Sequence, residues 1–153
     1  MSPNSVGLPV SIVMVEDDEG HATLIERNIR RAGVNNPIKP FTNGTAALDY
    51  LLGEDGSGSA HAGSSLLILL DLNLPDMTGV DILAKIKNNP HLKRSPVVVL
   101  TTTDDQREIQ RCYDLGANVY ITKPVSYDEF IEAIKRLGLF LSIVKVPRED
   151  ERS

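Results

Sequence analysis

Five apolar residues run without a break from Leu66 to Leu70, and a carboxylate, Asp71, follows at once. A strand apolar at every position has two faces to bury, so it belongs inside a sheet covered on both sides. Such sheets are parallel, and they bind ligands beyond the carboxyl ends of their strands. Asp71 is therefore expected on a rigid strand, aimed into a polar cleft. Pro75 and Gly79 then turn the chain towards a helix. Taken alone, an Asp at such a point more often caps a turn or a helix. What else reaches the same cleft decides between the two.

The rest of the chain alternates in the same way. Val10 to Val15 is β-rich and ends in Glu16, Asp17 and Asp18. Glu19 to Ala32 has helical spacing of Leu24, Ile25 and Ile29, and Gly33 stops it. Ile38 to Thr42 reads as a second strand, and Asn43 caps a helix running to Leu52. Residues 53–65 are Gly, Ser and acid rich, which predicts a flexible surface loop inserted before Leu66. A third helix is expected from Val80 to Lys87. A strand over Pro96 to Leu100 and a helix over Asp104 to Leu115 follow. The last strand is Asn118 to Thr122, and Ser126 caps the last helix. Five strands alternating with five helices predict an α/β fold: a flavodoxin-like, doubly wound, five-stranded parallel sheet, plus a C-terminal extension. The expected organisation is a disordered N-terminus over 1–9, a folded domain over 10–139 and an arm or tail over 140–153.

Composition narrows the function. The 153 residues are 41% hydrophobic and 24% charged, ordinary for a soluble domain. A net charge of −5 with no basic stripe argues against nucleic acid as a partner. No apolar run reaches about 18 residues, and the first nine residues lack a signal-peptide pattern. The single cysteine, Cys112, fits a reducing compartment. A cytoplasmic protein that does not meet a membrane is the expectation. His21, His61 and His91 do not cluster, so no transition-metal site is assigned, and His21 reads as helix surface.

In a parallel sheet the residues just past each strand share one rim. Here they are Glu16, Asp17 and Asp18 after the first strand, Asp71 after the third, Thr101 after the fourth and Lys123 after the fifth. Crowded carboxylates repel, and a hard cation relieves the repulsion. Mg²⁺ suits them, because it is oxygen-bound and usually held by one or two carboxylates plus waters and phosphate oxygens. Lys123 adds a point charge and Thr101 a hydroxyl, which together complement a phosphoryl group. Asp71 can then attack phosphorus and form an acyl phosphate, with positioning and charge neutralisation supplying the catalysis. Asp18 is read as the cap of the first helix rather than as a ligand. Lys123-Pro124 is an X–Pro bond whose isomer the sequence leaves open.

These residues, with the run from Asp71 through Pro75 to Gly79, resemble the receiver domain of two-component response regulators over about Val10 to Leu139. The resemblance implies that Asp71 is the phosphoacceptor, with Asp71, Lys123 and Thr101 as the catalytic set. It implies metal binding by Asp17 and Asp71 directly, by Glu16 through water and by the backbone carbonyl of Asn73. Thr101 and Tyr120 would form the switch, and Asn73 and Thr103 would tune dephosphorylation. Thr102 is bulkier than the Ala or Gly common at its position. The chain would catalyse only its own phosphorylation and dephosphorylation, and so would not be an enzyme towards other substrates. The 53–65 insertion and the lack of an output domain resemble the short stand-alone receivers that partner phytochrome histidine kinases. The implied partner is thus a sensor histidine kinase, a bacteriophytochrome in that subgroup. The apolar tail from Leu139 to Pro147 suggests a homodimer made through the C-terminal face or arm.

Two other readings compete. A haloacid dehalogenase-like phosphatase also follows an apolar strand with Asp-x-Asp, but the second acid is Asn73 here, and an amide cannot act as general acid or base. A phosphorylation-independent interaction module would not require this complete set of residues.

Overall fold

The computed structural model describes residues 10–62 and 65–137. The expected disordered N-terminus (1–9) and the arm at 140–153 lie outside the described residues, as does the tail on which the homodimer was argued. Elements alternate as β1 (Ser11–Val15), α1 (Glu19–Arg31), β2 (Ile38–Phe41), α2 (Gly44–Leu52), β3 (Leu66–Leu70), α3 (Gly79–Lys87), β4 (Val97–Thr101), α4 (Gln106–Leu115), β5 (Val119–Thr122) and α5 (Tyr127–Arg136). The strands form one parallel sheet in the order β2-β1-β3-β4-β5. This is the flavodoxin-like doubly wound order that the alternation predicts.

Strand pleating sorts the core into two layers. Leu66, Ile68 and Leu70 of β3 pack with Ala47, Leu51, Ile82, Leu83, Ile86 and Cys112, so α2, α3 and α4 cover that face. Leu67 and Leu69 pack with Ile25, Ile29, Phe130, Ala133 and Ile134, so α1 and α5 cover the other. All of β3 is buried, and truncating one of its leucines to Ala would cost about 2–5 kcal/mol.

Each α-helix follows the carboxyl end of a strand and starts on a side-chain cap. Asp18 accepts from the His21 N–H at 3.0 Å, so it caps α1 as expected. Asn43 accepts from Ala46, Thr78 from Asp81, Asp105 from Arg107 and Ser126 from Glu129. The α4 helix begins at Gln106, two residues later than its pattern suggested, because Asp105 serves as the cap. β4 begins at Val97 instead of Pro96. Pro96 has no N–H to give, although its carbonyl accepts from Ile68 at 3.0 Å.

Residues 53–62, read from composition as the start of a flexible loop, carry specific bonds. Gly53, Gly56 and Gly58 take positive φ angles of 78°, 73° and 77°, and the Gly58 N–H reaches the Leu52 carbonyl at 2.8 Å. Ser59–His61 forms a 3-10 turn. The Asn89 amide donates to the Ser57 carbonyl at 3.0 Å, and His61 Nε2 lies 3.0 Å from the Tyr50 carbonyl.

Gly79 shows why the turn after β3 needs glycine. A Cβ there would lie 2.4 Å from the Asp71 carbonyl oxygen and 2.6 Å from Leu72 Cα. The start of α3 is therefore pressed against the backbone that carries Asp71.

Candidate functional site

Strand register sets the layout of the rim. Val15 pairs with Leu70, which puts Glu16 and Asp71 side by side one step later. The Asp71 N–H then donates to the Val15 carbonyl at 3.0 Å. β3 and β4 are offset differently, with Leu70 opposite Val99, so Thr101 falls beyond Asp71 and nearer Asn73. Thr101 pairs with Thr122, and Lys123 follows, its N–H bonded to the Thr101 carbonyl at 2.8 Å. The Lys123-Pro124 peptide is cis.

The side chains converge accordingly. Carboxylate oxygens of Glu16, Asp17 and Asp71 all lie within 4.8 Å of one another. Glu16 and Asp71 are buried and Asp17 is exposed. Lys123 Nζ donates to Asp71 Oδ2 at 3.0 Å and forms a close ion pair with Glu16 Oε1. Burial raises the Glu16 carboxyl above its ordinary range, and the Asp71 charge adds to this, against the opposing bonds from Lys123 and the Asp18 N–H. Burial alone would lower the Lys123 ammonium, but its bonds to Glu16 and Asp71 outweigh that and the net shift is upward.

Asp18 stands apart from this group as the α1 cap. Asn73 is exposed; its N–H donates to Asp71 Oδ1 at 3.2 Å and its amide to Thr101 Oγ1 at 3.3 Å. The Thr101 hydroxyl, fully buried, is thus engaged by Asn73. Tyr120 lies half-buried on β5 and its phenol donates to the Thr103 carbonyl at 2.8 Å. Burial pushes that phenol up to about 12, so it remains a donor across all ordinary pH.

Two neighbours escaped the sequence. His21, read as helix surface, brings Nδ1 to 3.0 Å from Lys123 Nζ. Asp76 sits in the turn after β3, yet its carboxylate accepts from the N–H groups of Gly44 and Thr45, both at 2.8 Å, and from the Thr45 hydroxyl. The Thr45 hydroxyl, then those two N–H groups, draw the Asp76 carboxyl down to about 2. A helix beginning at the rim was the available signal for His21; for Asp76 the sequence offers only its helix-capping chemistry.

A divalent cation fits what is present. Three carboxylates face one ammonium, which leaves two negative charges uncompensated, and all the donors are hard oxygens. Glu16, Asp17 and Asp71 would hold it.

Known proteins share this architecture. The response regulator receiver domain model matches residues 12–135. A response regulator receiver domain from Rhodospirillum rubrum is 71% identical, with a TM-score of 0.76 over 90% of this chain and 96% of that one. Response regulator Rcp1 of Synechocystis sp. is 33% identical over 91% of this chain and 94% of its own length. The Mn²⁺-bound form of Rcp1 superposes with a TM-score of 0.68, covering 92% of this chain and 99% of that one. The phosphorylated cyanobacterial phytochrome response regulator RcpA is 37% identical, with a TM-score of 0.68 over 86% of this chain and 92% of RcpA. Among the described residues no helix is long and apolar enough to cross a membrane. The fold, the rim and these matches agree: the chain belongs to the response regulator receiver domain family, the signalling domains of two-component systems.

Proposed function

We propose that Asp71 accepts a phosphoryl group from a phosphohistidine of a sensor histidine kinase, in a reaction that uses Mg²⁺, and that the acyl phosphate changes the affinity of this domain for partner proteins. What carries this reading is the Lys123 ammonium 3.0 Å from Asp71 Oδ2, beside the Glu16 and Asp17 carboxylates. An Asp71 oxygen forms the new bond to phosphorus as the bond from phosphorus to the donor imidazole breaks, and the departing nitrogen keeps the electron pair. Lys123 turns from the carboxylate to a phosphoryl oxygen. A Mg²⁺ ion held by Glu16, Asp17 and Asp71, with the Asn73 carbonyl, would supply charge neutralisation at the phosphoryl oxygens.

Thr101 would leave Asn73 to donate to the phosphoryl group, and Tyr120 would follow it inward. The two states differ in population, and the phosphoryl group biases them through its bonds. Asn73, whose N–H reaches Asp71, and Thr103 would tune the lifetime of the acyl phosphate. The likeness to RcpA supports a phytochrome-type kinase as the donor. The cytoplasm is the compartment this reading implies, because the kinase draws its phosphoryl group from ATP. Residues 10–139 would form the receiver unit, and the segment beyond it would contribute a homodimer contact.

Phosphoramidate with Mg²⁺ tests the reading directly. Intact-mass measurement should show one added phosphoryl group, absent in Asp71→Asn and after EDTA. No modification, or steady release of phosphate from many esters, overturns it.

A further inference from the structure

Lys123 is aimed by three acceptors, and only two of them are carboxylates. Its ammonium has three N–H donors and no acceptor. Glu16 Oε1 and Asp71 Oδ2 take two. His21 Nδ1, at 3.0 Å, takes the third. Because Nζ can only donate, Nδ1 must present its lone pair, which puts the imidazole proton on Nε2. The other partner within reach of Nδ1 is Glu16 Oε2 at 3.9 Å, beyond hydrogen-bond distance. The geometry therefore assigns Nδ1 to Lys123.

The imidazole is held where this bond requires it. His21 lies in the first turn of α1, and its own N–H is bound by the Asp18 cap at 3.0 Å. The ring forms one wall of a small cavity of about 130 Å³ with Leu24, Ile25, Thr102, Lys123 and Pro124 among its lining. Its side chain is 45% exposed, while that of Lys123 is 5% exposed. The histidine thus meets the ammonium from the solvent side of a nearly sealed site.

We infer that His21 is a positioning residue for phosphorylation: its Nδ1 lone pair holds the Lys123 ammonium in place while the lysine exchanges Asp71 for the phosphoryl group. This rests on the proposed phosphorylation of Asp71. The exchange explains why a third acceptor is useful. When Asp71 is esterified, one N–H must turn from the carboxylate to a phosphoryl oxygen. Two fixed acceptors, Glu16 and His21, keep Nζ in position during that turn; Glu16 alone would leave it free to swing. His21 does this as an uncharged acceptor, so it adds nothing to the negative charge that an incoming phosphoryl group must face.

The rate of Asp71 phosphorylation by phosphoramidate with Mg²⁺ tests the inference in four proteins: wild type, His21→Leu, His21→Asn and His21→Gln. The Asn side chain can place an oxygen where Nδ1 stands, and Gln places its amide where Nε2 stands. His21→Leu and His21→Gln should lower the maximal rate by about fivefold or more, the effect of one lost hydrogen bond. The half-saturating donor concentration should stay unchanged. His21→Asn should remain within about twofold of wild type. If the Leu variant fails to fold, the Asn and Gln pair, matched in polarity, carries the comparison. Equal rates in all folded variants, or equal losses in Asn and Gln, overturn the inference while leaving Asp71 as phosphoacceptor. A wild-type protein that takes up no phosphoryl group overturns both.

Discussion

Lys123 stands with 5% of its side chain exposed between two carboxylates whose side chains are 2% and 7% exposed. Three ions so nearly sealed from water persist only because each offsets the others' desolvation. Deleting the cation leaves Glu16 and Asp71 buried, adjacent and unpaired. Lys123→Met is therefore expected to cost about 3–5 kcal/mol in metal-free buffer, read from the urea midpoint. A loss below about 1 kcal/mol, the value of an exposed pair, would mean that the pocket is wetter than its side chains indicate. The cluster itself was legible because strand ends share a rim, whatever their separation in the chain. His21 was not. It meets Lys123 across 102 positions, and its helical spacing is that of a solvent-facing residue.

The turn between β3 and α3 is the element on which Asp71 depends. Gly79 lets α3 start against the Asp71 carbonyl, and Asp76 ties the same turn to the first residues of α2, 31 and 32 positions earlier. A carboxylate at a helix N-terminus also faces the positive end of the helix dipole. Its folded pKa of about 2 lies below the ordinary 3.8, so the stability it gives is present above pH 3.8 and is lost as pH falls towards 2. The urea midpoint of wild type should therefore fall through that window, and Asp76→Ala, already weaker at neutral pH, should fall less. Parallel curves for the two proteins would show that the tie contributes nothing. Element existence was legible from periodicity, while element ends were not. The starts of α4 and β4 depend on a cap at Asp105 and on the missing N–H of Pro96, which a hydrophobic pattern does not weigh.

For the whole molecule, the strand order followed from alternation and right-handed crossovers, because an apolar strand such as β3 can only lie centrally. The hydrogen bonds of residues 53–62 did not follow, since Asn89 reaches in from another part of the chain. That same central placement makes the acidic rim a cost to folding: Glu16 is held in a site that raises its pKa, beside Asp71. A divalent ion that binds only the assembled rim must then stabilise the entire domain, since the unfolded chain cannot gather Glu16, Asp17 and Asp71. Linkage sets the size of the effect. At a Mg²⁺ concentration 100 times its dissociation constant the gain is about 2.7 kcal/mol, or roughly 5–10 °C in Tm for a domain of this size. Asp17 is the exposed member of the set, so Asp17→Asn should leave the metal-free Tm nearly unchanged and abolish most of the Mg²⁺ shift. Calorimetry with and without EDTA reads both quantities. If Asp17→Asn keeps the full shift, the ion is bound elsewhere, and the carboxylates of the rim are paired with Lys123 alone.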